Sequence, residues 1–435
     1  MKKTRLVASV ISVAVLFILA LLTVNAEEVQ NAKLSPAFDV IASDQKMIKS
    51  GLVYENVKFT LTDFKQGLGV SEIDSITVKE IPDASEGVLT VGSMTVGKGQ
   101  VIYSSLLSML EFVPASSDVE IASFSFCGDE NTSGADITCT VRMLDTVNYA
   151  PTVASVHENR LNLEALNGKS VSGMLAAYDP EGDRLGYEIV SYPSHGVITL
   201  CDRESGEYVY TSYENYTGTD SFEYVARDEY GNYTSALKVS IEISSDRSNI
   251  EFEDMDGAHN LSAATVMVDE GIMDAVMGED GFVFSPDKEV SRGEFVVMAM
   301  KAARKKPKKN SNALDGVSDA QSIEGEAREY ISSAVESGYF NAELSDDGVK
   351  TLRADAPITK ADAALILSRI CGYEKNADDI AVFADFYSVD ASAQKCISAM
   401  YEYGVIELGS GVISPNDHIT REACAKMLYS FMSVI

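Results

Sequence analysis

Three basic residues stand where the C-terminal part of the sequence predicts helices to begin, and each directly follows a hydroxyl residue. The pairs are Ser291 with Arg292, Thr359 with Lys360, and Thr420 with Arg421. A hydroxyl before the first helical turn caps a backbone N–H and stabilises the helix by about 0.5–2 kcal/mol. A cation in that turn opposes the helix dipole and costs about 0.3–1 kcal/mol at an exposed site. Three cations at equivalent positions therefore predict that each has an anionic partner.

Acidic residues follow the cations within the same turn. Glu294 and Asp362 lie three residues after their hydroxyl residues, which is the spacing of a reciprocal capping box. In the third segment the acid, Glu422, lies one position earlier. Capping explains the hydroxyl and the acid, but it does not explain the cation.

Two kinds of anionic partner fit this pattern, and the sequence leaves both open. The partner is internal if Asp254, Asp319 and Asp385 pair with the cations and hold neighbouring segments together. It is external if a carboxylate or phosphate ligand is held jointly by the cation and the free N–H groups of the helix start.

The elements that must position these residues form a threefold repeat from residue 250 onward. Apolar residues there recur every three or four positions, which predicts amphipathic helices. In each repeat a first helix ends at a glycine, and a second helix begins at the hydroxyl–cation pair. The glycines are Gly271, Gly338 and Gly404. We expect repeats at 250–303, 315–372 and 380–435, with a basic linker at 304–314.

The repeats resemble the S-layer homology family, whose members open with Phe-x-Asp and start the second helix at Ile-Thr-Arg-Ala-Glu. The matching openings are Phe252-Glu253-Asp254, Val317-Ser318-Asp319 and Phe383-Ala384-Asp385. The resemblance implies an all-α pseudo-threefold domain that binds a secondary cell-wall polysaccharide, often through a pyruvate ketal carboxylate. It implies that Arg292, Lys360 and Arg421 engage the acidic sugar, while the three aspartates bind sugar hydroxyls or order the groove.

The preceding part of the chain has the period-two pattern of β-strands, as in VKFTLTD, SITVKEI and GEYVYTS. Two similar stretches predict tandem β-sandwiches at 46–148 and 149–245. The aligned pairs are Pro82 with Pro193, Gly87 with Gly196, and Tyr103 with Tyr210. The second stretch, with DPEGD, PSHGVITL and a closing KVSIEI, is similar to bacterial cadherin-like or Ig-like repeats, and the first is a divergent relative.

The DPEGD turn offers three hard oxygen ligands. Asp179, Glu181 and Asp183 fit a weak extracellular calcium site, with a dissociation constant of about 10⁻⁴–10⁻³ M. The alternative is a solvated turn without metal. No cofactor is otherwise expected.

The remaining signals concern the compartment. Residues 1–26 have the charged start, apolar run and small-residue end of a secretory signal, and residues 27–45 form a polar lead-in. After cleavage no membrane association is expected; the alternative is that the apolar run, which approaches the length of a membrane span, stays as an uncleaved anchor. Cys127 and Cys139 flank a turn between two predicted strands, where they are able to close a disulfide.

Composition and motifs exclude other functions. The net charge of −31 argues against a nucleic-acid partner, and no nucleophile, phosphate-loop or metalloprotease motif indicates an enzyme. We therefore expect a secreted surface protein anchored to the bacterial cell wall that displays two Ig-like domains as a structural or S-layer component, with other surface-layer proteins as further partners. The alternative is a wall-anchored adhesin that binds a ligand on a host or neighbouring cell.

Overall fold

The computed structural model describes residues 46–70, 72–129, 134–153, 161–308, 311–344, 347–374, 385, 388–407 and 412–435. The expected signal segment, the lead-in and Phe383-Ala384 lie outside these residues. The chain divides into two compact units, one formed by residues up to Asn148 with Tyr230–Asn232, the other by Tyr149–Glu229 and Tyr233–Ile435. Within the described part, no helix is long and apolar enough to cross a membrane.

The first unit is a β-sandwich of two sheets, in the orders β1-β9-β8-β3-β6 and β2-β7-β4-β5. Its strands are β1 (Lys46–Leu52), β2 (Val57–Lys58), β3 (Ser75–Glu80), β4 (Gly87–Val91), β5 (Met94–Thr95), β6 (Val101–Tyr103), β7 (Leu110–Pro114), β8 (Ile121–Gly128) and β9 (Ile137–Leu144), with helices α1 (Leu61–Leu68) and α2 (Ser104–Leu107). Phe59, Phe64, Phe124 and Phe126 pack together in its core.

Helix α1 replaces part of a predicted strand. VKFTLTD was expected to be extended, but only Val57 and Lys58 form a strand, and the helix begins at Leu61. Thr60 Oγ1 accepts from Asp63 N at 3.2 Å, and Asp63 Oδ2 accepts from Thr60 N at 2.7 Å. This capping box starts the helix, and the period-two pattern alone did not reveal it.

The possible disulfide between Cys127 and Cys139 is not formed, and both cysteines are buried free thiols. Cys139 on β9 pairs with Phe124 on β8. Cys127 is three residues further along β8, a displacement of about 10 Å, and points to the other face of the sheet. A disulfide requires Cα atoms within about 7 Å, so this register prevents the bond.

The second unit begins with a sandwich of the same strand order, β10-β16-β15-β12 packed on β11-β14-β13. The strands are β10 (Asn162–Leu166), β11 (Ser170–Met174), β12 (Leu185–Ser191), β13 (Gly196–Leu200), β14 (Glu207–Ser212), β15 (Gly218–Asp228) and β16 (Leu237–Ser244). Within residues 161–244, strands β5 and β6 of the first sandwich have no counterpart. Tyr208, Tyr210, Phe222 and Tyr224 fill its core.

The two sandwiches share a glycine beneath an aromatic ring. A Cβ on Gly196 would meet the Tyr210 ring at 2.5 Å, and a Cβ on Gly87 would meet the Phe112 ring at 2.7 Å. Register pairs Leu89 with Phe112 and Ile198 with Tyr210. Tyr210 therefore corresponds to Phe112, and the expected match to Tyr103 is wrong, because β6 is an insertion that pairs with the other sheet.

Six helices and two short hairpins form the described part of the C-terminal region. They are α3 (Leu261–Asp269), β17 (Val276–Met277), β18 (Phe282–Val283), α4 (Arg292–Ala302), α5 (Gly325–Glu336), β19 (Glu343–Leu344), β20 (Lys350–Thr351), α6 (Lys360–Cys371), α7 (Ala391–Glu402) and α8 (Arg421–Met432). One hydrophobic core joins them. The expected helix starts at Arg292, Lys360 and Arg421 are confirmed.

The three segments that precede α4, α6 and α8 are hydrogen-bonded to one another in a closed ring. Val290 N donates to Ile419 O at 2.9 Å, Ile419 N to Ile358 O at 3.1 Å, and Ile358 N to Val290 O at 2.9 Å. The ring brings the three helix starts next to one another.

Candidate functional site

The backbone amides at each helix start are already hydrogen-bonded to a neighbouring repeat. In α4, Arg292 N donates to Ala356 O at 2.9 Å and Gly293 N to Ala354 O at 2.8 Å. Glu294 N donates to the capping Ser291 Oγ at 3.2 Å. The equivalent bonds run from Lys360 N to Asp417 O, Ala361 N to Pro415 O, Arg421 N to Lys288 O, and Glu422 N to Pro286 O. The expectation that free helix N–H groups hold an external anion is therefore wrong for these amides.

Each cation side chain reaches a backbone carbonyl of the next repeat, in cyclic order. Arg292 Nε donates to Leu352 O at 3.2 Å, Lys360 Nζ to Ile413 O at 3.2 Å, and Arg421 Nε to Phe284 O at 2.7 Å. We call the contact of Arg292 with the second repeat the first junction, that of Lys360 with the third repeat the second junction, and that of Arg421 with the first repeat the third junction.

The three aspartates order the loops that the cations contact. Each accepts two backbone N–H bonds, and one of the donors is the residue whose carbonyl binds the cation. The bonds are Phe284 N and Ser285 N to Asp254 at 2.8 and 2.6 Å, Leu352 N and Ala354 N to Asp319 at 2.9 and 3.2 Å, and Ile413 N and Ser414 N to Asp385 at 3.0 and 2.7 Å. These carboxylates hold the loops and form no ion pair with the three cations within the described part of the chain. The hypothesis of an internal partner is thus correct in that the three cations link neighbouring repeats. It is wrong in that the three aspartates do not form ion pairs with them.

The first junction is internally neutralised. The Arg292 side chain is 9% exposed and forms ion pairs with Asp362 and, at 3.3 Å, with Glu343. Its guanidinium also lies 5.3 Å from the Phe340 ring centre. Thr359 caps Asp362 N at 3.2 Å, but the Asp362 carboxylate turns to Arg292. The reciprocal half of the expected Thr359–Asp362 capping box is therefore missing.

The third junction also contains an acid from the facing helix. Arg421 lies over the Phe284 ring at 4.7 Å and donates to Asp274 O. Burial raises the pKa of Glu294, but hydrogen bonds from Ser291 and the charges of Lys288 and Arg421 bring that pKa below its usual value. Glu294 closes a complete capping box with Ser291 and forms an ion pair with Lys288 at 3.7 Å, and its charge also interacts with that of Arg421.

The second junction differs from the other two because the facing helix has no acid at the third position. Asp362 and Glu294 are the third residues of α6 and α4, and the equivalent residue of α8 is the exposed Ala423. Thr420 caps Ala423 N at 3.3 Å, as in the other repeats. Lys360 is half-buried, and among the residues that the structure describes it has no acidic partner within ion-pair distance.

The displaced acid, Glu422, serves a different contact. Glu422 Oε1 accepts from Asn260 N at 2.9 Å, just before α3. The Asn260 Oδ1 atom in turn accepts from Ser172 N at 3.1 Å and Ser172 Oγ at 2.8 Å, on β11 of the sandwich. The acid of the third repeat, which lies one position earlier in the sequence than in the other two repeats, therefore connects the third repeat to the first repeat and to the sandwich.

Further hydrogen bonds fix the sandwich of the second unit to the helices. Lys169 Nζ donates to Ile250 O at 2.9 Å, Ser170 Oγ to Ala258 O at 2.6 Å, and Leu166 N to Ser262 Oγ at 3.1 Å. A cavity of about 400 Å³ lies beside this contact, lined by residues that include Tyr208, Tyr403 and Tyr429. The sandwich and the helical repeats of this unit are therefore joined by a polar interface.

The DPEGD turn brings two of its three acids to a common point. Asp179 Oδ1 accepts from Glu181 N at 3.0 Å and from Asp183 N at 3.1 Å, and Gly182 supplies the positive φ of 82° that the turn needs. The Glu181 side chain is exposed and accepts from Tyr149 N at 3.2 Å. The third acid at the common point is Asp228, the last residue of β15, which sequence reasoning missed.

Comparison with known proteins assigns two regions of the chain. The family model for the bacterial Ig domain matches residues 148–242, and the model for the S-layer homology domain matches residues 382–424. No curated protein matches the chain.

Solved structures show only distant similarity. An endo-fucoidan hydrolase of glycoside hydrolase family 107 is 22% identical over 40% of this chain and 24% of its own length, with a TM-score of 0.20. Fibronectin(III)-like modules of Clostridium thermocellum CbhA are 14% identical over 47% of this chain and 94% of theirs, with a TM-score of 0.22. Drosophila N-cadherin EC1-3 is 15% identical over 46% of this chain and 63% of its own length, with a TM-score of 0.21.

This chain thus spans about a quarter of the length of the hydrolase. The assignment depends on the family models and on the strand order and repeat contacts described above. Residues 148–242 match the bacterial Ig domain, and residues 382–424, nearer the C-terminus, match the S-layer homology domain.

Proposed function

We propose that this protein is secreted, is held non-covalently on the bacterial cell wall by its C-terminal repeats, and displays its two sandwiches as a structural or S-layer component. The S-layer homology match supports wall anchoring of a surface protein with Ig-like domains. The proposal includes no catalytic step. The wall ligand is an anionic secondary polysaccharide, with a pyruvate ketal as the simplest source of its carboxylate.

The helical region acts in this proposal as one pseudo-threefold domain of three S-layer homology repeats. Two features support this arrangement: the closed ring of Val290, Ile358 and Ile419, and the cyclic order in which each cation contacts the next repeat. The three junctions share one plan, so their differences in charge indicate which of them binds.

The second junction is the proposed site for the anion, and the observation that carries the proposal is the alanine at position 423. An acid at the third helical position accompanies Arg292 at the first junction and Arg421 at the third. At the second junction Ala423 leaves the Lys360 ammonium without such a neighbour. Among the residues that the structure describes, no carboxylate lies within ion-pair distance of this half-buried ammonium. A partly desolvated charge is less screened, so Lys360 attracts an anionic ligand more strongly than a cation that faces an acid at the third helical position.

The chemistry of recognition follows from the side chain. An ammonium is a compact charge that does not form the two parallel hydrogen bonds of an arginine fork, so Lys360 selects negative charge more than the planar shape of a carboxylate. The helix amides are already bonded, so the side chain carries the electrostatic contribution. Asp385 acts indirectly, by holding the loop at Ile413 and Ser414.

Sedimentation of the full chain with purified cell walls tests this proposal. Lys360→Ala removes a charge-assisted hydrogen bond of about 1.5–3 kcal/mol, which corresponds to about tenfold or more in wall affinity. Lys395→Ala, at an exposed lysine on α7, is the matched control and leaves affinity unchanged. Walls stripped of their polymer retain neither variant. Equal retention of wild type and a folded Lys360→Ala protein would contradict the proposal.

A further inference from the structure

Three carboxylates from two elements of the bacterial Ig domain converge at one point. Oxygen atoms of Asp179, Asp183 and Asp228 lie within 4.8 Å of one another. The register explains the convergence, because Leu185 at the start of β12 pairs with Asp228 at the end of β15. The DPEGD turn, which leads into β12, is thereby held against Asp228.

Two of these carboxylates have oxygen atoms that are buried without a hydrogen-bond partner. Asp179 is 4% exposed; its Oδ1 atom is used by the turn, and its Oδ2 atom is buried and unpartnered. The Oδ2 atom of Asp183 is also buried and unpartnered. A buried, unpaired carboxylate oxygen is costly, and this cost is normally removed by a hydrogen-bond donor or a cation.

We propose that Asp179, Asp183 and Asp228 bind a divalent cation, with Ca²⁺ as the ligand that fits the donor set. All three donors are hard carboxylate oxygens, which Ca²⁺ prefers at about 2.3–2.6 Å. Oxygens around a single ion at that distance are at most about 5 Å apart. This site lies outside the wall-binding junctions and does not depend on the proposed anchoring.

The site differs from the one that the sequence motif suggests. Glu181 is the middle acid of DPEGD, but its side chain is exposed and accepts from Tyr149 N. Asp228 takes its place.

Terbium luminescence of the full, chelator-treated chain tests the site, with Tb³⁺ as the probe and Ca²⁺ as its competitor. Tyr178 precedes Asp179 in the chain and serves as the sensitiser. We expect a saturable signal that Ca²⁺ displaces at about 10⁻⁴–10⁻³ M, the range of extracellular modules. Mg²⁺ displaces it at least tenfold less effectively. The melting temperature rises with Ca²⁺ concentration, because only the folded chain holds the three ligands together.

Two substitutions separate the structural site from the sequence motif. Asp228→Asn weakens Ca²⁺ binding at least tenfold, whereas Glu181→Gln leaves it unchanged. Because Asp228 is 2% exposed, Asp183→Asn, at a half-buried position, provides a second test if Asp228→Asn fails to fold. The proposal is overturned if the wild type gives no saturable signal, if a folded Asp228→Asn or Asp183→Asn protein binds Ca²⁺ normally, or if Glu181→Gln alone abolishes binding.

Discussion

Asp362, in the first turn of α6, forms an ion pair with Arg292, in the first turn of α4. The pair joins the second repeat to the first and neutralises the cation that begins α4. At the third junction Glu294 holds the equivalent position; its charge interacts with that of Arg421, and its ion pair is with Lys288. At the second junction Ala423 occupies the acid's position, which distinguishes Lys360 from the other two cations.

We expect Asp362→Asn to destabilise the protein without reducing wall binding. Loss of one partner from a buried ion pair costs about 3–5 kcal/mol. Asp362 is 34% exposed and Glu343 remains 3.3 Å from Arg292, so solvent screening reduces the expected loss to about 1–2 kcal/mol. Urea unfolding followed by tyrosine fluorescence measures the change. Unaltered stability would show that the pair is not a significant link between repeats.

Asp319→Asn should change how the helical region responds to acid. Burial raises the pKa of Asp319, but hydrogen bonds from Leu352 N and Ala354 N outweigh it and hold the pKa below its usual value. The ionised carboxylate therefore adds stability above the unfolded pKa of about 3.9, and this stability is lost as pH falls through the folded value. Asn accepts fewer bonds and does not titrate in this range.

The measurement is hydrogen exchange of the peptide that contains Leu352 and Ala354, between pH 5 and 2, after correction for the intrinsic rate. In the wild type, protection is constant near pH 5 and decreases below about pH 4. In Asp319→Asn, protection is already lower at pH 5 and varies less with pH. Identical pH profiles would contradict the assigned role of this carboxylate.

Glu422→Ala should loosen the contact between the sandwich and the repeats, whereas Glu422→Gln should largely preserve it. The Glu422 Oε1 atom accepts from Asn260 N, and glutamine retains an oxygen at that position. Alanine leaves a buried donor unpaired, at a cost of about 1–3 kcal/mol. Hydrogen exchange at Ser172 and Asn260 reports the change. If both variants exchange equally and faster than the wild type, the charge of Glu422, and not its hydrogen bond, stabilises the contact.

Gly196→Ala should destabilise the Ig domain, with Gly186→Ala as the matched control. An added Cβ at Gly196 would lie 2.5 Å from the Tyr210 ring, while at Gly186 it would meet nothing within 4 Å. Overpacking of this kind typically costs about 1–3 kcal/mol. Thermal unfolding of both variants tests the difference, and a melting temperature for Gly196→Ala equal to that of the control would contradict the packing described here.

The sequence predicted local features well, because they depend on nearby residues. The helix starts at Arg292, Lys360 and Arg421 follow from period and capping, and the change from strands to helices follows from the hydrophobic pattern. Partners distant in sequence were predicted poorly. The pattern identified Asp254, Asp319 and Asp385 as important, but their backbone partners are set by the return of a loop from the same repeat.

The wrong strand alignment and the missed Asp228 ligand also arise from contacts between residues that are distant in sequence. Tyr210 corresponds to Phe112 because an inserted strand displaces the local match to Tyr103, and Asp228 joins Asp179 and Asp183 only when β15 pairs with β12. The departure of Glu422 from the repeat pattern was visible in the sequence. Its meaning emerged only from its contact with Asn260, together with the alanine that replaces the acid at position 423 of the facing helix.

Wall sedimentation of Ala423→Glu, with Ala423→Gln as its neutral control, shows whether wall binding depends on the missing acid at the second junction. Either residue is able to complete the capping box with Thr420, so both variants should fold at least as stably as the wild type. Only glutamate places a negative charge beside Lys360, as Asp362 does beside Arg292. We expect Ala423→Glu to lower wall affinity about tenfold or more, a loss of about 1.4 kcal/mol, and Ala423→Gln to bind as the wild type does. Equal binding by the two variants would contradict the role proposed for Lys360.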